Sequence, residues 1–297
     1  MDHNVFIHIG YPRTGTTFLQ KDIFPDLADR FNVTVPQDAL LRQYNEEIYQ
    51  GSLNSEHLHQ LYHECSTDKP LLLSHESLTG NSDRDFLHTA FEIHAFCPRA
   101  TILICIRSQY AILPSMYTYT YLKNGGTEPY ENFLTRLLSG DRFNYYQMIQ
   151  TYRNLFGRDN VHILFFEKLQ SDPDGFIQEV LDIIGASPKS IHRDGRRTYN
   201  RRYTMLYAGV LRFMNKVFAT DCGGVRKNVR SSLLYMLGML SYCMEQCHLM
   251  PGNTYEKNDT YRKMIADHYR TSNNDLFALL DRTPYMTEYP GIEMSGH

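Results

Sequence analysis

The opening of the chain constrains its fold more than any other stretch. Val5-Phe6-Ile7-His8-Ile9 is a short β-rich run that stops at Gly10. Tyr11-Pro12-Arg13-Thr14-Gly15 follows as a loop, and Thr16 to Phe24 reads as a helix with Phe18, Leu19 and Ile23 on one side. Strand, glycine loop and helix, in that order, is how an α/β protein holds a phosphate. Loop N–H groups and the positive end of the helix dipole converge on one anion.

The spacing narrows the ligand. Gly10 and Gly15 have the separation of the two glycines in the nucleotide-triphosphate loop G-x-x-x-x-G-K-[ST]. In that motif the next residue is the Lys that reaches the outer phosphates, and here it is Thr16. The cation sits inside the loop instead, as Arg13. Such a loop binds phosphate but lacks the group that grips the far end of a triphosphate.

Further strands follow at intervals. Residues 26 to 63 are mixed and mostly polar, and read as helical pieces and loops. Pro70 to Ser74 is an apolar run that reads as a buried strand, and it delivers His75 and Glu76 at its C-terminal end. Ligands of open α/β sheets bind at such ends. Residues 83 to 96 read as a helix. Thr101 to Ile106 is β-branched and apolar throughout, the pattern of a central strand covered on both faces, and it runs into Arg107. A helix then runs from Ser108 to about Leu122, with Pro114 expected to bend or break it. Residues 130 to 156 read as helical, Val161 to Phe166 as a strand, and Asp174 to Ile184 as a helix stopped by Gly185.

Strands alternating with helices predict an α/β fold of three layers around a central, mostly parallel sheet. Residues 1–190 form this P-loop-NTPase-like core. Residues 191–297 read as a mainly helical cap on the same single domain, because no linker separates them.

Composition excludes several classes. The 297 residues carry a net charge of −3, which gives no general nucleic-acid footprint. No N-terminal signal segment and no run of about 18 apolar residues is present, so the sequence predicts no spanning helix and a cytoplasmic setting, with membrane-surface contact left open. The cysteines, at 65, 97, 105, 222, 243 and 247, lack disulfide-framework or zinc spacing, and Cys243, Cys247 and His248 have no second ligand pair. No metal is expected. The chain has 22 Tyr and no Trp. Tyrosine rings suit a sugar or an adenine, or simply fill the core.

The loop Tyr11-Pro12-Arg13-Thr14-Gly15-Thr16-Thr17 resembles the 5′-phosphosulfate loop of sulfotransferases that use 3′-phosphoadenosine 5′-phosphosulfate (PAPS) and release 3′-phosphoadenosine 5′-phosphate (PAP). The resemblance covers residues 4 to 185 well, and later rests on Ser272-Asn273-Asn274-Asp275-Leu276. It implies that Pro12, Arg13, Thr14, Gly15, Thr16 and Thr17 hold the 5′ end of the donor, with Arg13 on the leaving phosphate. It also implies that Arg107 and Ser115, an Arg and a Ser with the family's separation, hold the 3′-phosphate. A guanidinium makes a forked contact there and the hydroxyl adds a hydrogen bond. The two phosphate sites together distinguish PAPS from ATP.

Transfer to a hydroxyl needs a base. Cytosolic phenol and steroid members of the family use a His near this place, and glycan-modifying and many bacterial members a Glu. Ser74-His75-Glu76-Ser77-Leu78 is closer to the second pattern. Glu76 is therefore expected as the base, with His75 orienting or binding the acceptor, a carbohydrate or glycolipid. Arg201 and Arg202, in the basic stretch from Arg193, are expected on the 3′-phosphate, and Gly223-Gly224-Val225-Arg226-Lys227 is a second candidate. Two other readings stay open at this point: a P-loop kinase of a nucleotide or small metabolite, and a non-catalytic nucleotide-binding protein. The oligomeric state is open.

Overall fold

The apolar run that opens the chain forms the middle strand of a five-stranded sheet. The computed structural model describes residues 4–36, 38, 41, 54–65, 68–79, 86–187, 205–217, 255–281 and 284–292. In chain order the main elements are β1 (Val5–Gly10), α1 (Thr16–Phe18), β2 (Asn32–Thr34), α2 (Ser55–Glu64), β3 (Leu71–Ser74), α3 (Phe86–Phe96), β4 (Thr101–Ile106), α4 (Gln109–Met116), α5 (Tyr130–Leu138), α6 (Tyr145–Phe156), β5 (Val161–Phe165), α7 (Phe166–Ser171), α8 (Pro173–Ile184), α9 (Met205–Val217) and α10 (Asp259–Leu279).

The sheet order is β2-β3-β1-β4-β5, and every pairing is parallel. The register sets His8 beside Ser74 on one side, and Gly10 beside Cys105 on the other. All of β1 and β3 is buried, as a parallel sheet with helices on both faces requires. On one face Phe6, Leu72, Leu103, Cys105 and Leu164 pack with Leu19, Ile23, Phe24 and the apolar side of α8. On the other, α6 packs against β4 and β5, and α3 packs on α6. The fold is the expected three-layer α/β arrangement.

Several elements differ from expectation. β2 was not expected, since Asn32-Val33-Thr34 sits in polar sequence and is only a short edge strand, held where Asn32 N–H donates to Pro70 O at 2.8 Å. The helical stretch 130–156 is two helices, and the second starts where the Asn144 side chain accepts from Gln147 N–H. Phe166 leaves the strand and starts α7. Two segments are π-helical, Leu19–Ile23 and Tyr117–Leu122. Pro114 lies within α4, and the widened winding begins three residues later. α8 ends at Gly185, left-handed at φ 68°, as the sequence predicts.

Two compact units divide the chain. The first spans Met1–Arg107, Asn144–Tyr199 and Ser272–Glu288, and contains the sheet. The second spans Ser108–Phe143, Asn200–Thr271 and Tyr289–His297. Its described elements are helices joined by turns, around an aromatic core in which the Tyr130 and Tyr255 rings lie 4.3 Å apart, with Tyr117 and Tyr261 against them. The largest fully buried side chains include Tyr11, Tyr117, Tyr130, Tyr145 and Tyr152, so much of the tyrosine content is core. No helix among the described residues is long and apolar enough to cross a membrane.

Candidate functional site

Three neighbouring strand ends build the site. β3, β1 and β4 are adjacent and parallel, so their C-terminal ends open on one edge of the sheet. β1 delivers the loop, β3 delivers His75 and Glu76, and β4 delivers Arg107.

The loop is shaped by two left-handed residues, Arg13 at φ 76° and Gly15 at φ 87°. Its carbonyls turn toward the protein. Tyr11 O accepts from Thr14 Oγ1 at 2.6 Å. Arg13 O accepts from Arg107 Nη1 at 3.0 Å, and Thr14 O from the Cys105 thiol at 3.0 Å. Gly15 precedes α1 with no side-chain cap. The N–H groups of Thr16 and Thr17, at the start of the helix, therefore suit an outside anion. Both glycines are needed for close approach. A Cβ on Gly10 would overlap Thr16 Cγ2, and one on Gly15 would stand 2.6 Å from Leu169 Cδ2.

Arg107 is 7% exposed. Its guanidinium lies 4.4 Å from the centre of the Phe166 ring while it donates to the loop. Its own carbonyl accepts from the Tyr145 hydroxyl at 2.7 Å, and the Tyr145 ring packs edge-on against Tyr11 at 5.1 Å. A planar, permanently charged side chain suits this position, because it stacks on an aromatic face while it donates to the loop.

Glu76 starts the 3₁₀ turn Glu76–Thr79 directly beyond β3. His75 is buried, and its main-chain N–H donates to His8 O at 3.3 Å. Burial pushes the His75 imidazole below its ordinary pKa, against the opposing pull of the Glu76 charge. His75 is thus held toward its neutral form, beside a carboxylate. Beneath this pair His8 Nδ1 and Ser74 Oγ share a hydrogen bond of 2.7 Å. Gln20 Nε2 donates to Ser74 Oγ at 3.1 Å and to Glu76 Oε2 at 3.4 Å.

The first unit thus brings together Pro12, Arg13, Thr14, Gly15, Thr16, Thr17, Arg107, His75 and Glu76. Ser115 belongs to the second unit, in α4, with its side chain partly exposed. Arg201, Arg202, the stretch from Gly223 to Lys227, Cys243, Cys247 and His248 lie outside the described residues. No His, Cys, Asp and Glu cluster among the described residues has the form of a metal site. Sequence reasoning missed Gln20, Cys105, Phe166 and Tyr145. Gln20 carried one signal: it is a polar residue next to Leu19 and three before Ile23, inside a stripe meant to be buried.

A solved structure shares this fold. A crystal structure of a sulfotransferase from Alicyclobacillus acidocaldarius matches over 95% of this chain and 97% of that one, with a TM-score of 0.59 at 13% identity. Mouse sulfotransferase SULT7A1 complexed with PAP matches over 63% of this chain and 60% of that one, with a TM-score of 0.43 at 15% identity. The sulfotransferase domain from the Synechococcus PCC 7002 olefin synthase matches over 63% and 76%, with a TM-score of 0.41 at 16% identity. No curated protein matches in sequence. The profile of the sulfotransferase domain family matches residues 2–202, more than half of the chain. The chain belongs to the sulfotransferase domain family.

Proposed function

We propose that this sulfotransferase uses PAPS as donor and a hydroxyl of a carbohydrate or glycolipid as acceptor, with Glu76 as general base. The observation that carries the reading is the phosphate loop itself. Carbonyls of Tyr11, Arg13 and Thr14 are tied back into the protein, and the loop carries the Arg13 cation just ahead of a helix start at Thr16 that has no side-chain cap. PAPS supplies an activated sulfuryl group when bound. Arg13, Thr14, Thr16 and Thr17 hold the 5′ end, and Arg107, with Ser115 and the late basic residues Arg201 and Arg202, holds the 3′-phosphate.

Glu76 takes the proton of the acceptor hydroxyl. A new S–O bond forms to the acceptor oxygen, and the bond from sulfur to the bridging oxygen of the 5′-phosphate breaks in line with it. The electron pair stays on the leaving phosphate of PAP, where Arg13 and the loop N–H groups neutralise the gathering charge. His75, held toward its neutral form, orients the acceptor. The carbohydrate preference rests on the Glu-type residue at the end of β3, and residues 191–297 are assigned to the acceptor side. Cytoplasmic residence belongs to the same proposal.

Calorimetric titration with PAP tests the donor, beside ATP with and without Mg²⁺. PAP is expected to bind without metal and to bind less tightly to Arg107→Ala. Binding of Mg-ATP in preference to PAP would overturn the donor assignment in favour of a kinase. Radiolabelled transfer from PAPS to methyl glycosides and to simple phenols tests the acceptor, and sulfation of phenols but not sugars would overturn it.

A further inference from the structure

Gln20 does work that neither the loop motif nor the base pattern assigns. It is 3% exposed and sits in the π-helical segment Leu19–Ile23, one turn beyond Thr16. Its amide faces Ser74 Oγ, Ser74 O and Glu76 Oε2 at 3.1, 3.4 and 3.4 Å. A carbonyl and a carboxylate only accept hydrogen bonds. The amide must therefore turn its NH₂ group, not its oxygen, toward them.

The partners behind Ser74 hold this orientation. Ser74 Oγ accepts from Gln20, which frees its own hydrogen for His8 Nδ1 at 2.7 Å. Burial depresses the His8 pKa to about 4, so the imidazole is neutral and able to accept. Its Nε2 is buried with no hydrogen-bond partner among the described residues. The ring also packs edge-on against Phe24, with centroids 5.6 Å apart, which leaves it little freedom to turn.

We propose that Gln20 is a positioning residue for Glu76. It fixes Oε2 of the carboxylate, leaves Oε1 to meet the acceptor hydroxyl, and mounts the base on the same helical segment that begins at the phosphate loop. This inference rests on the assignment of Glu76 as base. Its physical reason is the freedom of the carboxylate. Glu76 stands on a short 3₁₀ turn, partly exposed. A free Glu side chain samples many rotamers, and bases work from a narrow range of positions. The N–H of Gln20 favours the part of that range in which Oε2 meets it. The π winding matters because it sets the angle at which residue 20 leaves a helix that Thr16 anchors over Gly10.

The test compares Gln20→Met, which keeps the length and removes the N–H, with Glu76→Gln and the double variant. PAPS turnover is measured against water and methyl β-galactoside, and PAP affinity by calorimetry. Gln20→Met is expected to lower kcat about tenfold while PAP affinity stays within about twofold. In the Glu76→Gln background it is expected to add almost nothing, because the two groups act as a unit. Equal loss of PAP affinity and turnover, or losses that multiply in the double variant, would overturn the positioning role and leave Glu76 as base. Wild-type turnover in Glu76→Gln would overturn the base assignment itself. If Gln20→Met does not fold, Ser74→Ala carries the test. It removes one of the anchors of Gln20 and is expected to lower kcat about threefold at unchanged PAP affinity; an unchanged kcat there would overturn the proposal.

Discussion

Arg107 donates from Nη1 to the main-chain oxygen of Arg13 at 3.0 Å, so the cation at the end of β4 braces the loop at the end of β1. The same guanidinium stacks on Phe166. Arg107 thus shapes the loop, and the proposed function gives it a second duty on the 3′-phosphate. A hydrogen bond from a charged donor contributes about 1.5–3 kcal/mol. Arg107→Ala is expected to weaken PAP binding more than tenfold, about 1.4 kcal/mol or more. Arg107→Lys should recover only part of this, because an ammonium neither stacks nor forks. Calorimetry on the three proteins checks it, and full recovery by Lys would show that charge alone matters.

Gly10 is required by its neighbour, not by its own backbone. A Cβ there would overlap Thr16 Cγ2. Gly10→Ala is expected to destabilise the protein by about 1–3 kcal/mol, the range for overpacking a filled site. Thr16→Ser removes the methyl group that is struck. The double variant should regain much of the loss, measured as a shift in urea midpoint at constant slope. Additive losses would mean that the strain at Gly10 has another source.

How much of this was legible in the sequence depended on whether the signal was local. β1, β3 and β4 are continuous apolar runs because both faces are covered, and they could be read directly. The loop announced itself through Gly10, Arg13 and Gly15. Glu76 and Arg107 were readable as strand-end residues. Gln20, Cys105 and Tyr145 were not, since each acts through a partner 38 to 91 residues away. β2 was hidden for a different reason. Asn32-Val33-Thr34 takes its strand conformation from pairing with β3, and its own composition offers little to read.

His8 should leave a mark on stability against pH. Burial lowers its pKa from 6.5 to about 4. Between those values the unfolded chain binds a proton that the folded protein refuses, so stability falls as pH falls from about 6.5 to about 4. Above that window the contribution is complete. The full swing is about 3 kcal/mol from this one group. His75 and His162 are pushed in the same direction by burial, so they steepen the same slope. His8→Asn keeps a polar partner for Ser74 and removes the titration. Urea unfolding at several pH values should give a flatter profile for His8→Asn, and an unchanged profile would mean that His8 is hydrated in the folded protein.

Arg13 offers the sharpest separation of stability from turnover. At φ 76° it is a non-glycine residue in the left-handed region, which costs about 1–2 kcal/mol. The strain persists at the point where the proposed mechanism needs a cation, the arrangement expected where a fold sacrifices local comfort for function. Arg13→Gly relieves the backbone but gives the unfolded chain more freedom, an opposing effect of about 0.4–1 kcal/mol. Its stability should therefore lie within about 1 kcal/mol of wild type. Arg13→Ala keeps the strain, so it should be the less stable of the two. Both lose the cation that the proposal places on the leaving phosphate, and kcat for PAPS turnover should fall about 10²–10³-fold, the range for removing one charge-stabilising donor. Urea midpoints and turnover on the pair decide the matter. If Arg13→Ala proved as stable as Arg13→Gly, the left-handed backbone would not be the source of strain. If turnover survived in both, the loop would stabilise its leaving group through N–H dipoles alone.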